Sequence, residues 1–258
     1  MAYRAYRTGR GSGYGSGGGG GPQINLMARI TPMVKYLLIA NGVVAVAFVS
    51  RAAAVLIMSY LSLIPAAVFP GLQLWRVVTY MFVHANLSHL LLNMIALYFF
   101  GPPLEQVWGK NKFLFYFFLT GIGAGIACVP FYILLGEGGV PIVGASGALY
   151  GLLAAFALIY PNARIYLMFL FPIKAKYLVA VFVIIEFMST ASAAAGAGGS
   201  HIANVAHLSG AVIGYFYLRR FMDLKAYWLR LKLRRHKRAY RVISNPRDDP
   251  DQRGPWLH

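Results

Sequence analysis

Four polar side chains inside the apolar middle of the chain have the residue types needed for acyl transfer. Ser146 lies in the segment Gly-Ala-Ser-Gly, and His207 follows 61 residues later in a second apolar stretch. A serine becomes a good nucleophile when a neutral histidine accepts its proton. The resulting oxyanion needs hydrogen-bond donors, and His89 and Asn93 can supply them. These residue types predict a nucleophile, a base and an oxyanion hole.

Ser146 also has a purely structural interpretation. It follows a glycine-rich loop that contains Pro141, and it stands where an apolar helix running to about Tyr160 should begin. A serine at the start of a helix commonly caps it by accepting a bond from a backbone N–H group. We therefore expect Ser146 to cap this helix. Capping is compatible with catalysis, because the same helix start aims N–H groups at a developing oxyanion.

The composition of the 258-residue chain indicates an integral membrane protein. Apolar residues make up 59% of the chain and charged residues 12%, and the mean hydropathy is +0.59. A soluble domain needs more polar residues to cover its exterior. The single cysteine, Cys128, has no partner for an intrachain disulfide, and no Cys/His cluster suggests a metal site or a cofactor.

The net charge of +17 is concentrated at the two ends of the chain. Of the 24 Lys and Arg residues, five precede residue 36 and twelve follow residue 218. This distribution is typical of cytoplasmic tails, with attraction to anionic lipids as a secondary effect, and it disfavours nucleic-acid binding. Residues 223–242 alternate basic with apolar and aromatic side chains, which fits either an amphipathic helix on the inner leaflet or a solvated basic tail.

The apolar runs predict an all-α membrane bundle of six transmembrane helices, at about 33–50, 81–100, 113–135, 144–160, 177–195 and 202–221. We expect Gly101-Pro102-Pro103 to end the second of these spans, because proline interrupts a helix. The broken segment 51–80 is predicted to be an interfacial outer loop with short helices. Residues 161–177 are predicted to be a re-entrant or interfacial connector.

The predicted organisation has three parts. Residues 1–32 form a flexible Gly-rich basic tail, residues 33–221 the transmembrane domain, and residues 222–258 a basic cytoplasmic tail. An even number of spans places both termini on one side of the membrane. With both termini cytoplasmic, the two inner loops carry five basic residues and the three outer loops carry two, as expected for this orientation. Spans two, four and six then enter from outside and hold their polar residues at similar depth.

The spacing of the polar residues favours one shared site. His89 and Asn93 are four residues apart, as are Ser146 and Tyr150, so each pair lies on one helical face. Each span carries these polar residues near the end by which it enters the membrane.

Glycines provide a way to bring spans four and six together. Gly147 and Gly151 form a small-xxx-small pair on span four, and Gly210 and Gly214 form another on span six. Such pairs let membrane helices approach closely, which would bring His207 towards Ser146. A third such pair, on span three, fits ordinary helix packing and shows that this signal alone is weak.

Two further polar residues are predicted to lie outside the site. Glu186 is the only acid within the predicted spans. Span five runs outwards, opposite to spans two, four and six, so we expect Glu186 nearer the inner side, paired or facing a cavity. A triad carboxylate must contact the histidine, and the expected depth of Glu186 argues against that role. His84 is predicted to be a hydrogen-bond partner between helices.

The ordered motifs resemble those of the rhomboid family of intramembrane serine proteases, in the bacterial form with a six-helix core. In chain order they are Trp75-Arg76, His84-xxxx-His89-xxx-Asn93, Gly101-Pro-Pro-Leu-Glu105, Gly144-Ala-Ser-Gly147 and Ala206-His207-xx-Gly210-xxx-Gly214. The resemblance covers about residues 33–221. A single Gly-x-Ser-Gly would be weak, whereas the ordered set at matching topological positions is highly specific.

The resemblance implies that Ser146 is the nucleophile and His207 the general base of a dyad without an acid. His89 and Asn93 match the oxyanion-stabilising residues of the family. No cofactor or metal is implied.

Other matched positions have supporting roles in the family. Tyr150 matches the tyrosine that packs against the catalytic histidine, and Asn204 matches a supporting polar position. Gly144 and Gly147 flank the serine in its motif, and Trp75-Arg76 matches a structural loop motif. The resemblance also implies transmembrane protein substrates cut near the outer face, and location in a bacterial inner membrane.

Two other functions compete with proteolysis. A non-catalytic rhomboid-like protein would bind and escort membrane clients, but it would not need an intact serine and histidine. A small-solute transporter would need polar residues across the full bilayer depth, whereas these are confined to one side.

Overall fold

The computed structural model describes residues 30–167, 171–194 and 204–220, and these are mostly helical. The longer helices are α1 (Pro32–Ala47), α2 (Arg51–Leu61), α5 (Leu87–Trp108), α6 (Lys110–Leu134), α7 (Ser146–Ile159) and α8 (Ala175–Ala194). Two short helices, α3 (Pro65–Val68) and α4 (Arg76–Thr79), and a 3-10 turn (Tyr80–Phe82) precede α5. A last helix, α9, covers residues 204–220. The predicted N-terminal tail, except for residues 30–32, and the predicted C-terminal tail lie outside the described residues.

The distribution of polar and apolar side chains is that of a membrane protein. Large apolar side chains are exposed on the outer faces of the helices, among them Val43, Leu92, Phe115, Ile184 and Phe216. Several polar side chains are buried instead, including Asn41, Arg76, Asn93, Glu105 and Thr120. By length and composition, α5 and α6 can each cross a membrane. The predicted class of helical membrane protein is confirmed, and the total of six spans stays a prediction.

Short helices fill the predicted outer loop, and Trp75 and Arg76 hold them together. The Arg76 guanidinium donates to the carbonyl oxygens of Ser59 and Ser62, each at 2.6 Å. The Trp75 indole N–H donates to the carbonyl oxygen of Tyr60 at 3.0 Å. The two side chains therefore fasten α4 to the end of α2, as expected for a structural loop motif.

Helix α5 begins six residues later than the predicted second span. Asn86 is its N-cap, and the side chain of Asn86 accepts the backbone N–H of His89 at 2.8 Å. His84 therefore lies before the helix, and the prediction that it is a helix–helix partner within a span is wrong. Its ring packs edge-on against that of His89, with 5.1 Å between ring centroids.

The far end of α5 runs through the Gly101-Pro102-Pro103 segment, so the prediction that these residues end the span is wrong. The longer helix brings Glu105 to the start of α1, where its carboxylate accepts the backbone N–H groups of Met33 and Val34 at 3.1 Å. The glycine and both prolines are buried. These tertiary contacts stabilise a continuous helix although the prolines remove two of its backbone hydrogen bonds.

A β-hairpin replaces the predicted interfacial connector between α7 and α8. Strand β1 (Arg164–Leu167) pairs antiparallel with β2 (Phe171–Lys174), and Ile165 lies opposite Ile173. Pro172 disfavours a helix here, and β-branched residues favour strands. The hairpin is therefore a small exception to the predicted all-α architecture.

Glycines bring α6, α7 and α9 close together. A Cβ atom on Gly210 would overlap the carbonyl group of Gly147, and a Cβ atom on Gly214 would lie 3.2 Å from the Cα atom of Gly151. Helices α7 and α9 therefore approach closely at both small-residue pairs, as their spacing predicts. The Tyr116 hydroxyl of α6 donates to the carbonyl oxygen of Gly151 at 2.8 Å, which links α6 to α7 at the same contact.

Candidate active site

Ser146 is the first residue of α7, and it does not cap the helix. The N-cap position belongs to Ala145, so no side chain caps this helix start, and the prediction that Ser146 is the cap is wrong. Gly144 has a φ of 116° and donates its N–H to the carbonyl oxygen of Tyr80 at 2.9 Å. The chain thus turns into the helix on a glycine, which tolerates this conformation, and it leaves Ser146 beside the unpaired N–H groups of the first turn.

One turn further along α7, Tyr150 packs against His207 of α9. The two ring centroids are 4.4 Å apart, and the ring planes are inclined by 6°. Since Ser146 and Tyr150 share a helical face, His207 lies on the side of α7 that carries the serine.

The backbones of α7 and α9 also meet beside these two residues. A Cβ atom on Gly147 would lie 3.3 Å from the carbonyl oxygen of Ala206. The residue after Ser146 therefore lies against the residue before His207. Asn204 is buried at the start of α9, three positions before His207.

A carboxylate joins Tyr150 and His207, contrary to expectation. Glu186 of α8 accepts a hydrogen bond from the Tyr150 hydroxyl at 2.6 Å, and its Oε1 atom lies 2.9 Å from His207 Nδ1. The side chains of His207 and Glu186 are only 15% and 13% exposed. The prediction that Glu186 lies too deep to contact the histidine is therefore wrong.

The order of residues along α8 is by itself a poor measure of how deep Glu186 lies. Glu186 is the twelfth of the 20 residues of α8. At 1.5 Å per residue it lies about 17 Å from the helix start, close to the middle. Tyr150 lies one turn further along α7 than Ser146, and its hydroxyl reaches the carboxylate.

His89 and Asn93 of α5 lie beside Gly144, two residues before Ser146. A Cβ atom at position 144 would be 2.7 Å from His89 Cε1 and 3.5 Å from Asn93 Nδ2. Asn93 is buried, and its Nδ2 atom has no hydrogen-bond partner in the part of the chain that the structure describes. A buried donor without a partner costs about 1–3 kcal/mol, so this amide calls for a functional explanation.

Metal ligands do not cluster in the described ranges. No group of three or more His, Cys, Asp or Glu side chains there could hold a metal ion.

Comparison with known proteins places the chain in a family. The model of the Rhomboid domain matches residues 71–223, which include every predicted site residue, and the chain belongs to the rhomboid family. This is a family of integral membrane proteins known for intramembrane serine proteases.

Three similar proteins come from a bacterium, a yeast and a plant. Rhomboid protease GluP of Bacillus subtilis is 31% identical over 142 residues, which are 55% of this chain and 25% of that protein. Rhomboid protein 1, mitochondrial, of Saccharomyces cerevisiae is 34% identical over 138 residues, 53% of this chain and 38% of that protein. Rhomboid-like protein 11, chloroplastic, of Arabidopsis thaliana is 33% identical over 148 residues, 54% of this chain and 50% of that protein. The chain thus spans a quarter to a half of the length of these relatives.

Proposed function

We propose that the chain is an intramembrane serine endopeptidase that hydrolyses peptide bonds in or near transmembrane segments of membrane proteins. In this proposal Ser146 is the nucleophile and His207 the general base. The observation that carries it is the close packing of α7 on α9, in which Gly147 contacts Ala206 and Tyr150 stacks on His207. This packing brings the helix faces that carry the serine and the histidine together, which supports proton transfer between the two side chains.

The proposed reaction has two steps. His207 Nε2 takes the hydroxyl proton as Ser146 Oγ attacks the peptide carbonyl, and the tetrahedral intermediate collapses when the imidazolium returns the proton to the leaving amine. A water molecule then attacks the acyl-enzyme, with His207 again serving first as base and then as acid. Both peptide fragments are released, and Ser146 and His207 return to their starting protonation states.

The negative charge on the tetrahedral oxygen is stabilised from α5 and α7. Asn93 Nδ2, His89 and the N–H groups at the start of α7 are the proposed donors. The buried Asn93 Nδ2 atom has no hydrogen-bond partner among the described residues. This supports the role, because an oxyanion formed during the reaction would satisfy such a donor.

We propose a bacterial inner-membrane location, with the domain at 33–221 and both basic tails on the cytoplasmic side. The orientation is argued from the distribution of Lys and Arg along the chain, and the bacterial location from the resemblance to the bacterial form of the family. The catalytic residues then lie in the outer half of the bilayer, and the basic C-terminal tail is close to anionic lipids of the inner leaflet. The proposed partners are transmembrane protein substrates and the lipid bilayer.

Cleavage by the reconstituted full chain tests the proposal. A labelled transmembrane substrate should be cut by the wild type and left intact by Ser146→Ala and His207→Ala. Ser59→Ala in α2 is a matched control and should cleave normally, because the Ser59 hydroxyl donates to the carbonyl oxygen of Val55 within its own helix. Cleavage by the Ser146→Ala variant would rule out the proposal. Substrate binding without cleavage by the wild type would favour a client-binding protein instead.

A further inference from the structure

We infer that Glu186 is a positioning residue for His207 and completes a Ser146–His207–Glu186 triad. This inference rests on the proposed protease function and goes beyond it, because the resemblance to the family implies a dyad without an acid. The chain supplies the missing carboxylate from α8, the helix between those that carry the serine and the histidine.

The contact geometry fixes the tautomer of His207. Glu186 Oε1 lies 2.9 Å from His207 Nδ1, and a carboxylate can only accept a hydrogen bond. The proton of the neutral ring therefore resides on Nδ1. Nε2 is left as the unprotonated nitrogen, which is the form needed to take a proton from Ser146.

Tyr150 contacts both His207 and Glu186. Its ring stacks on His207 and sets the plane of the imidazole, while its hydroxyl donates to the same carboxylate oxygen that contacts Nδ1. The bond to Glu186 then sets the rotation of the imidazole within that plane. Two side chains, one from α7 and one from α8, thus define one orientation of the base on α9.

The interaction of Glu186 with His207 strengthens during the reaction. Before proton transfer the carboxylate faces a neutral imidazole, and after it the same carboxylate faces an imidazolium. Because both side chains are largely buried, water screens this new ion pair less than it would at a surface. An interaction that is stronger in the transition state than in the ground state accelerates the chemical step.

The surroundings of Glu186 make a purely structural acid costly. Its neighbours on α8, Ile184, Ile185, Phe187 and Met188, are all exposed apolar residues. A carboxylate in an apolar membrane helix is expensive, and intramembrane acids commonly mark functional sites. Glu186 contacts Tyr150 and His207, and both of these residues belong to the proposed site.

The test compares Glu186→Gln with wild type in the reconstituted full chain, using the same transmembrane substrate. We expect kcat to fall about 100-fold or more with KM little changed, because an amide does not hold the tautomer or stabilise the imidazolium. Glu186→Asp keeps the charge and should restore part of the rate. Glu105→Gln is the matched control: it weakens the contact with α1 and lowers the unfolding temperature, but it leaves kcat per folded molecule unchanged.

The outcomes separate this inference from the proposed function. Wild-type kcat in folded Glu186→Gln, together with no cleavage by Ser146→Ala, overturns the triad and leaves the protease intact. Cleavage by Ser146→Ala overturns the protease itself.

A second measurement uses the unsubstituted protein and decides the matter even where Glu186→Gln fails to fold. Nitrogen-15 NMR of histidine-labelled protein reports the tautomer of each ring, and the spectrum of His207→Ala identifies the His207 signals. A neutral His207 protonated on Nδ1 supports the triad. Protonation on Nε2 overturns it.

Discussion

The rings of Tyr150 and His207 are nearly parallel, with centroids 4.4 Å apart and planes inclined by 6°. The tyrosine hydroxyl reaches past the imidazole to the Glu186 carboxylate, which in turn contacts His207 Nδ1. One aromatic side chain therefore contacts both the proposed base and the acid that orients it. Helices α7, α8 and α9 meet at these three side chains, one turn further along α7 than Ser146.

Substitution at Tyr150 separates stacking from hydrogen bonding. Tyr150→Phe keeps the ring against His207 but removes the bond to Glu186. We expect kcat to fall about 10- to 100-fold, since a bond to a charged group is worth about 1.5–3 kcal/mol. Tyr150→Leu removes the flat ring as well and should lose more. Steady-state kinetics on folded protein measure both effects. An equal fall in kcat in the two variants would contradict a role for ring stacking and leave only the hydrogen bond to Glu186.

Removal of either proposed oxyanion donor should slow the chemical step without unfolding the protein. His89→Ala and Asn93→Ala are each expected to lower kcat about 10²- to 10³-fold. The unfolding temperature of Asn93→Ala should stay near that of wild type, because Asn93 Nδ2 has no partner to lose within the described chain.

Asn41→Ala provides the matched control for the oxyanion variants. Asn41 is buried in α1, and its amide donates to the carbonyl oxygen of Leu37 at 2.8 Å. Its loss should lower stability by about 1 kcal/mol and leave kcat unchanged. A kcat for Asn93→Ala equal to that of Asn41→Ala would contradict the oxyanion assignment.

A methyl group at the contact of α7 with α9 should disrupt the site. In Gly210→Ala the added Cβ would overlap the Gly147 carbonyl group, so the two helices must separate. We expect a lower unfolding temperature and loss of cleavage.

Gly42→Ala is the control for that substitution. A Cβ atom at Gly42 in α1 meets nothing within 4 Å. Alanine is the better helix former by about 1 kcal/mol, so this variant should be as stable as wild type or more so, with unchanged cleavage. Equal unfolding temperatures and equal cleavage for Gly210→Ala and Gly42→Ala would argue against the close packing of α7 on α9.

Most of the helical framework is predictable because long apolar runs and glycine spacing are local signals. They anticipated α1, α6, α7 and α8 to within a few residues, and also the close approach of α7 to α9. The predicted end of α5 at Gly101-Pro102-Pro103 was wrong. The helix-breaking tendency of proline is a local property, whereas the contact of Glu105 with the start of α1 exists only in the folded bundle.

The site was harder to predict than the framework. The motifs pointed to Ser146 and His207, but the cap at Ala145 and the position of Glu186 depend on how the helices lie beside one another. A signal for Glu186 was present: it is the only acid within the predicted spans, and intramembrane acids commonly have functional roles. The depth expected from its position along span five pointed away from the site, and the packing of α7, α8 and α9 overrides that expectation.

The most direct test of the central claim is covalent labelling of the reconstituted protein with a fluorophosphonate, a reagent that reacts with activated serines. Mass spectrometry of the digested protein should find the phosphonyl adduct on Ser146, and His207→Ala should reduce labelling to the level of Ser146→Ala. An adduct on a different residue, or labelling of Ser146 that is unchanged in His207→Ala, would contradict the account.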